Sequence, residues 1–318
     1  MVKRAALIAV LAACGKFQDP NIVVDLRVVA MTASVPEQVI DVGSDVLSQL
    51  GPSVVCALVA DPNFDGRRLR WKMTLCPYGD GDRCDDGVPQ HVIGQGLIED
   101  PDITVPEPKL CATVQADGNL LGVVKYALDN DILRGLEGEA YAVELQVGGQ
   151  DADPSLDLFA VKGLEVIANI PVGRAPNHNP TLTEIDATLP DADPVALPLG
   201  RCVDQTAPLE VPPATKIRML PIEPDGAREM YDVVKIDGTI QTFTESVTYQ
   251  WTAGGGGFSD GSTGGKHDPF GNEPPLFSDW TAPAAKDIDG PTDVPIWIVQ
   301  RDERLGATWY ESCIRVVP

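Results

Sequence analysis

The chain is 318 residues long, 43% hydrophobic and 22% charged, with a formal net charge of −23. That length and apolar content suffice for about two ordinary cores, and so acidic a surface repels nucleic acid, which excludes nucleic-acid partners. The 30 glycines and 28 prolines, with frequent Val and Thr, favour many short strands and turns over helices.

Lys3 and Arg4 precede an apolar run from Ala5 to Ala13, followed by Cys14 and Gly15. A charged start, a short apolar stretch and small residues at its end describe an export signal too short to span a bilayer. Leu11-Ala12-Ala13-Cys14 resembles the bacterial lipobox. The resemblance implies that residues 1–13 are removed and that Cys14 carries a thioether-linked diacylglycerol and an acylated amine. About two acyl chains already anchor a protein stably, so the membrane becomes its first partner through residues 14–21, a lipidated tether. Gly15 stands where an Asp would imply inner-membrane retention, so the resemblance implies the outer membrane of a Gram-negative bacterium. A plain signal cut beside an incidental cysteine is the alternative.

From residue 22 the chain reads as strands separated by Gly, Pro, Asp and Asn. Val24, Leu26 and Val28 alternate with Asp25 and Arg27, and Pro36 and Gly43 interrupt the pattern. The run Val54–Val59 is apolar on both faces, as in a buried strand. Leu69, Trp71, Met73 and Leu75 alternate with polar residues, which turns Cys76 away from the core on a period-two strand. Further strands are expected at Val123–Leu128, Tyr141–Val147 and Phe159–Ile167. Helical periodicity is weak, with Asp131–Leu136 as its one candidate.

Seven cysteines become six once Cys14 carries lipid, and an even number in an oxidising compartment reads as three disulfides. The outward phase of Cys76 pairs it locally with Cys84. Cys56 and Cys111 share the first half, and Cys202 and Cys313 remain for the second. A zinc site is the alternative, but neither CxxC spacing nor clustered histidines support it.

The stretch Pro171–Pro180 holds three prolines in ten residues and reads as a stiff, exposed linker. A second domain starts at Leu182. Its clearest strand places Val247, Tyr249 and Trp251 on one face, and a terminal hairpin turns around Arg301–Gly306. A cysteine strand followed by the Trp71 strand resembles an immunoglobulin-type sandwich. The second half, with Tyr249-Gln250-Trp251, Trp280-Thr281-Ala282-Pro283 and the terminal hairpin, is similar to Ig-like and PKD-like repeats of bacterial surface proteins. With the lipobox, the chain resembles Ig-like lipoproteins of Gram-negative bacteria. The expected fold class is therefore all-β, two tandem Ig-like β-sandwich domains at 22–170 and 181–318 joined by the linker 171–180. The resemblance implies non-enzymatic binding or adhesion toward an envelope protein or glycan, with a structural spacer or a calcium-dependent surface protein as alternatives.

Chemistry-bearing motifs are sparse. His91, His178 and His267 are scattered, and HExxH and GxSxG are absent. Asp80, Asp82, Asp85 and Asp86 crowd one loop beside Cys84, a calcium candidate whose spacing departs from an EF-hand at Cys84 and His91, so a solvated acidic loop is the first reading. Asp61, Asn63 and Asp65 start a similar loop but lack its final glutamate, since Lys72 stands there. No cofactor is expected beyond that possible calcium. Residues 254–277 read as a Gly-rich excursion in which Phe258, Phe270 and Phe277 would offer an aromatic platform to a sugar or protein.

Overall fold

The computed structural model describes residues 19–318 apart from 42, 44, 63–67, 80–82, 99–109, 131–137 and 236. In the first half lie β1 (Arg27–Ala33), β2 (Glu37–Ile40), α1 (Val46–Gln49), β3 (Ser53–Ala60), β4 (Leu69–Pro77), β5 (His91–Ile98), β6 (Cys111–Val114), α2 (Gly118–Asn130), β7 (Glu139–Gly149) and β8 (Leu158–Ala168). The second half holds β9 (Glu184–Thr188), β10 (Val195–Ala196), β11 (Leu209–Val211), β12 (Lys216–Ile222), β13 (Met230–Val234), β14 (Ile240–Thr244), β15 (Thr248–Ala253), β16 (Gly257–Phe258), β17 (Ser262–Gly264), β18 (Ser278–Thr281), β19 (Thr292–Arg301) and β20 (Ala307–Val316). The class is all-β.

In the first sandwich a three-stranded sheet, β1-β3-β6, covers a five-stranded sheet, β2-β8-β7-β4-β5. Period-two alternation puts Leu69, Trp71, Met73 and Leu75 of β4 into the core. Cys76 takes the opposite phase, as expected, yet only 1% of it is exposed. Its disulfide to Cys84 brings Cys84 onto that face, where the Cys84 amide donates to Glu144 Oε2 at 2.6 Å.

Two expectations in this half are corrected. The first strand begins at Arg27 rather than Val24, and Val24 is 41% exposed. Val123–Leu128 is not a strand but part of α2, whose Leu120, Val123 and Val124 recur at helical spacing and enter the core. Asp117 caps the helix, its Oδ1 accepting from the amides of Asn119 (2.8 Å) and Leu120 (3.2 Å). The helix candidate Asp131–Leu136 lies outside the described residues.

The second sandwich pairs a sheet of order β10-β9-β12-β18-β16 with one of order β11-β20-β19-β15-β17, and β13-β14 form a separate hairpin. Val247, Tyr249, Trp251 and Trp280 are fully buried between the sheets. Two short strands anchor the first half of the Gly-rich excursion: β17 pairs with β15 and β16 pairs with β18. Its glycines permit close approach. Gly256 has φ +77, and a Cβ there would lie 2.4 Å from the Thr281 carbonyl.

Three disulfides join Cys56 to Cys111, Cys76 to Cys84 and Cys202 to Cys313, the pairs expected from strand phase and domain. The first ties β3 to β6 at directly opposed positions, and the third ties the segment before β11 to β20.

The sandwiches are not beads on a linker. Trp297 and Val299, on the outer face of β19, belong to the first sandwich's core cluster, and Trp309 packs against it. The amino-terminal segment crosses in the other direction. The Val23 amide donates to the Ala253 carbonyl at 2.8 Å and the Ala253 amide to the Asn21 carbonyl at 2.9 Å, so residues 21–23 lie along β15 while the Val23 side chain is buried in the first sandwich's core cluster.

Replacing Phe258, which packs 5.6 Å from Trp251, by Ala is expected to cost about 3–5 kcal/mol in urea unfolding, whereas Phe270→Ala stays within about 0.5 kcal/mol. Removing the Cys202–Cys313 bridge, which closes a separation of 111 residues, by paired alanines is expected to cost about 4–5 kcal/mol on the same measurement.

Candidate functional site

The sequence-based candidates are dispersed. Cys14, Asp80 and Asp82 lie outside the described residues, as do Asn63 and Asp65. Asp85 and Asp86 are exposed, and among the described residues no three His, Cys, Asp or Glu side chains are grouped to hold a metal ion. The aromatic platform is corrected: Phe258 is 9% exposed and part of the core, Phe270 is 90% exposed, and Phe277 lies beneath the Arg218 guanidinium at 3.8 Å. The rings face three environments because β16 draws Phe258 inward.

A groove on the outer face of the five-stranded sheet stands out instead. Even-numbered side chains of β4 point there, and cross-strand register aligns Gln95, Lys72, Gln146 and Phe159 in one row. Beside that row, Asp157 is 7% exposed and accepts from Arg70 Nη2 at 2.7 Å and from Gln146 Nε2 at 2.8 Å. Arg70 also donates to the carbonyls of Gly149, Gln150 and Ala152. The Asp157 carboxylate balances its charge. Lys72 has no ion pair among the described residues, and Arg83 lies over the Phe159 ring at 3.8 Å. The cavity of about 460 Å³ is lined by Arg70–Lys72, Gln95–Leu97, Gln146 and Asp157. On so acidic a chain, an unpaired lysine between two amides and an exposed Leu97 matches a hydroxyl-rich or anionic ligand. Sequence reasoning missed this row, since only register brings positions 72, 95, 146 and 159 together.

Between the sandwiches, the turn after β19 inserts Arg304 among carboxylates. Its side chain is 7% exposed and its Nη2 lies 2.7 Å from Glu37 Oε2, a side chain with no exposure at all. Nη1 reaches Glu245 at 3.4 Å and Glu229 at 3.6 Å, and the guanidinium sits 5.0 Å from the Tyr231 ring centroid. Arg174 approaches Glu37 from the 171–180 segment at 3.4 Å. That segment was expected to be an exposed linker, but Asn177 is 2% exposed and donates to the Arg304 carbonyl at 2.8 Å, and Asn179 donates to the Ala33 carbonyl at 2.7 Å. Two asparagines among the prolines staple it into the junction. Lys162 donates to the Leu305 carbonyl from the first sandwich, and burial lowers its pKa to about 8. Burial first, then the Asp302 charge, raises the Glu245 carboxyl to about 7. Burial likewise raises Glu311 to about 7 and pushes Asp302 upward.

No family model and no curated protein matches the chain. Among solved structures, the chain is similar to protocadherin gamma B7 extracellular cadherin domains 1–4, at 10% identity and a TM-score of 0.18, over 91% of this chain and 49% of that one. The chain thus spans about half the length of that relative. The fold assignment rests on the sheets themselves.

Breaking the buried pair by Arg304→Ala leaves Glu37 uncompensated and is expected to cost about 3–5 kcal/mol in urea unfolding, against less than about 0.5 kcal/mol for Val172→Ala at a 92% exposed site. Because Glu245 and Glu311 keep protons in the folded chain up to about pH 7, where the unfolded chain has released them, stability falls as pH rises through that interval. A melting temperature higher at pH 5.5 than at pH 7.5 is expected, with the difference reduced in Glu245→Gln plus Glu311→Gln.

Proposed function

We propose that the chain is an outer-membrane lipoprotein of a Gram-negative bacterium, anchored through Cys14, that acts without catalysis as a binding module for an envelope glycan or protein. The observation that carries the anchoring is cysteine arithmetic: of seven cysteines, six are in disulfides, which suits an oxidising compartment and leaves the lipobox cysteine for lipid. Non-enzymatic action is supported by where the shifted titratable groups sit. Glu245, Asp302 and Lys162 are engaged in hydrogen bonds and ion pairs at the junction, in geometry that fixes two domains.

The contact element in this proposal is the row Gln95–Lys72–Gln146 with Arg83 on Phe159, not the Gly-rich excursion. A sheet face is rigid and holds its donors in fixed register, which lowers the ordering cost of binding. A structural spacer is the second reading, favoured by the fused junction, since a rigid unit transmits geometry across an assembly.

Two measurements test this. The intact mass of protein from the outer-membrane fraction is expected to show a chain starting at an acylated Cys14 with no free thiol; an unprocessed terminus contradicts the anchoring. Retention on immobilised envelope polysaccharide is expected to fall about tenfold or more in Lys72→Glu with an unchanged melting temperature, the loss of about 1.4 kcal/mol or more. Unchanged retention together with one stoichiometric crosslinked protein neighbour favours the spacer.

A further inference from the structure

The described chain enters along the second sandwich, although the first sandwich comes first in sequence. Asn21 and Val23 hydrogen-bond with both backbone groups of Ala253. The Asp19 carboxylate lies beside Gly257, and Asn21 fits against Gly261, where a Cβ would fall 2.2 Å from Asn21 Oδ1. Asp19 Oδ1 accepts from the Asn21 amide at 2.8 Å, and Arg27 reaches back to the Pro20 carbonyl. This strap is therefore fixed from both sides.

Covalent geometry then limits where a lipid on Cys14 sits. Five Cα-to-Cα steps separate positions 14 and 19, and a fully extended chain gains at most about 3.6 Å per step, so the Cys14 Cα lies within about 18 Å of the Asp19 Cα. We infer that the end of the second sandwich formed by Gly254–Gly257 and the loop 283–292 is the surface that faces the bilayer, and that the strap Asp19–Val23 sets this orientation. The inference rests on the lipid anchoring proposed above.

The surface has the character of a tethered face. It surrounds a cleft of about 520 Å³ lined by Gly254–Gly257, Pro283, Asp287 and Val294, and the loop beside it exposes Asp287 and Asp289 with one cation, Lys286. Such carboxylates have no attraction of their own for anionic headgroups, so contact depends on the acyl chains. The opposite end of the sandwich is about 30 Å away along β19 at strand rise. There Thr248 opposes Arg301 and Gly264, and Lys266 meets Glu303 at 3.0 Å, which places exposed Phe270 on the far side.

The test uses full-length lipidated protein in vesicles of phosphatidylethanolamine and phosphatidylglycerol containing a nickel-chelating headgroup lipid. Nitroxides are attached to Ala285→Cys or Phe270→Cys. Nickel-induced relaxation is expected to be several-fold stronger at position 285; equal or reversed values on protein of confirmed acyl mass overturn the orientation. Val23→Pro removes the Val23 amide that bonds to Ala253 together with a buried side chain, and the two positions are expected to converge in protein that keeps a cooperative melting transition. A persisting difference overturns the role of the strap. Cys14→Ser protein is expected to show no relaxation at either position, and vesicle binding by that variant would instead contradict the anchoring itself.

Discussion

The guanidinium of Arg304 occupies a space from which Glu37 is wholly removed from water, and the relation between the two sandwiches depends on it. A buried carboxylate without a cation costs several kcal/mol, so Glu37 on β2 and the β19–β20 turn favour being together over being apart. Everything else at the junction reinforces that choice. Arg174 supplies a second cation, the Asn177 and Asn179 amides fix the crossing segment, and Lys162 reaches the turn from β8. Around these polar contacts, Trp297, Val299 and Trp309 supply the apolar area that makes the docking favourable. The ion pairs then specify its register.

A fused pair of sandwiches narrows what the molecule can do. Relative domain motion is the default when an interface is small and polar, and here the shared cluster opposes it. The surfaces that remain for recognition are faces and edges held at fixed positions. The outer row of the five-stranded sheet is such a face, with Lys72 between two amides and without an ion pair among the described residues. The Asp19–Val23 strap is the other external feature, and it holds the first described residues on the second sandwich. Together they describe two docked sandwiches with residues 19–23 fixed on one and a sheet of the other presenting polar groups.

Much of this fold was legible in the sequence because period-two alternation is a local signal. Leu69 to Leu75 and Val247 to Trp251 announced their inward faces directly, and the phase of Cys76 led to its disulfide. Other features were not local. Val123 and Val124 look like a strand in a short window, and only the Asp117 cap and the spacing back to Leu120 disclose α2. Gly254–Gly257 suggested a loose excursion, whereas Gly256 serves tight contact with Trp280 and Thr281 and Gly254 with Pro295. The polar row at 72, 95, 146 and 159 exists only through register. The junction was hidden for the same reason, since residues 37, 174, 245 and 304 carry no shared motif.

Calorimetry of the disulfide-intact protein at neutral pH tests the fused junction most directly. A single transition whose calorimetric and van't Hoff enthalpies agree is the predicted result, because neither sandwich keeps its buried charges paired without the other. Two separable transitions, each with the enthalpy of one sandwich, would contradict the account.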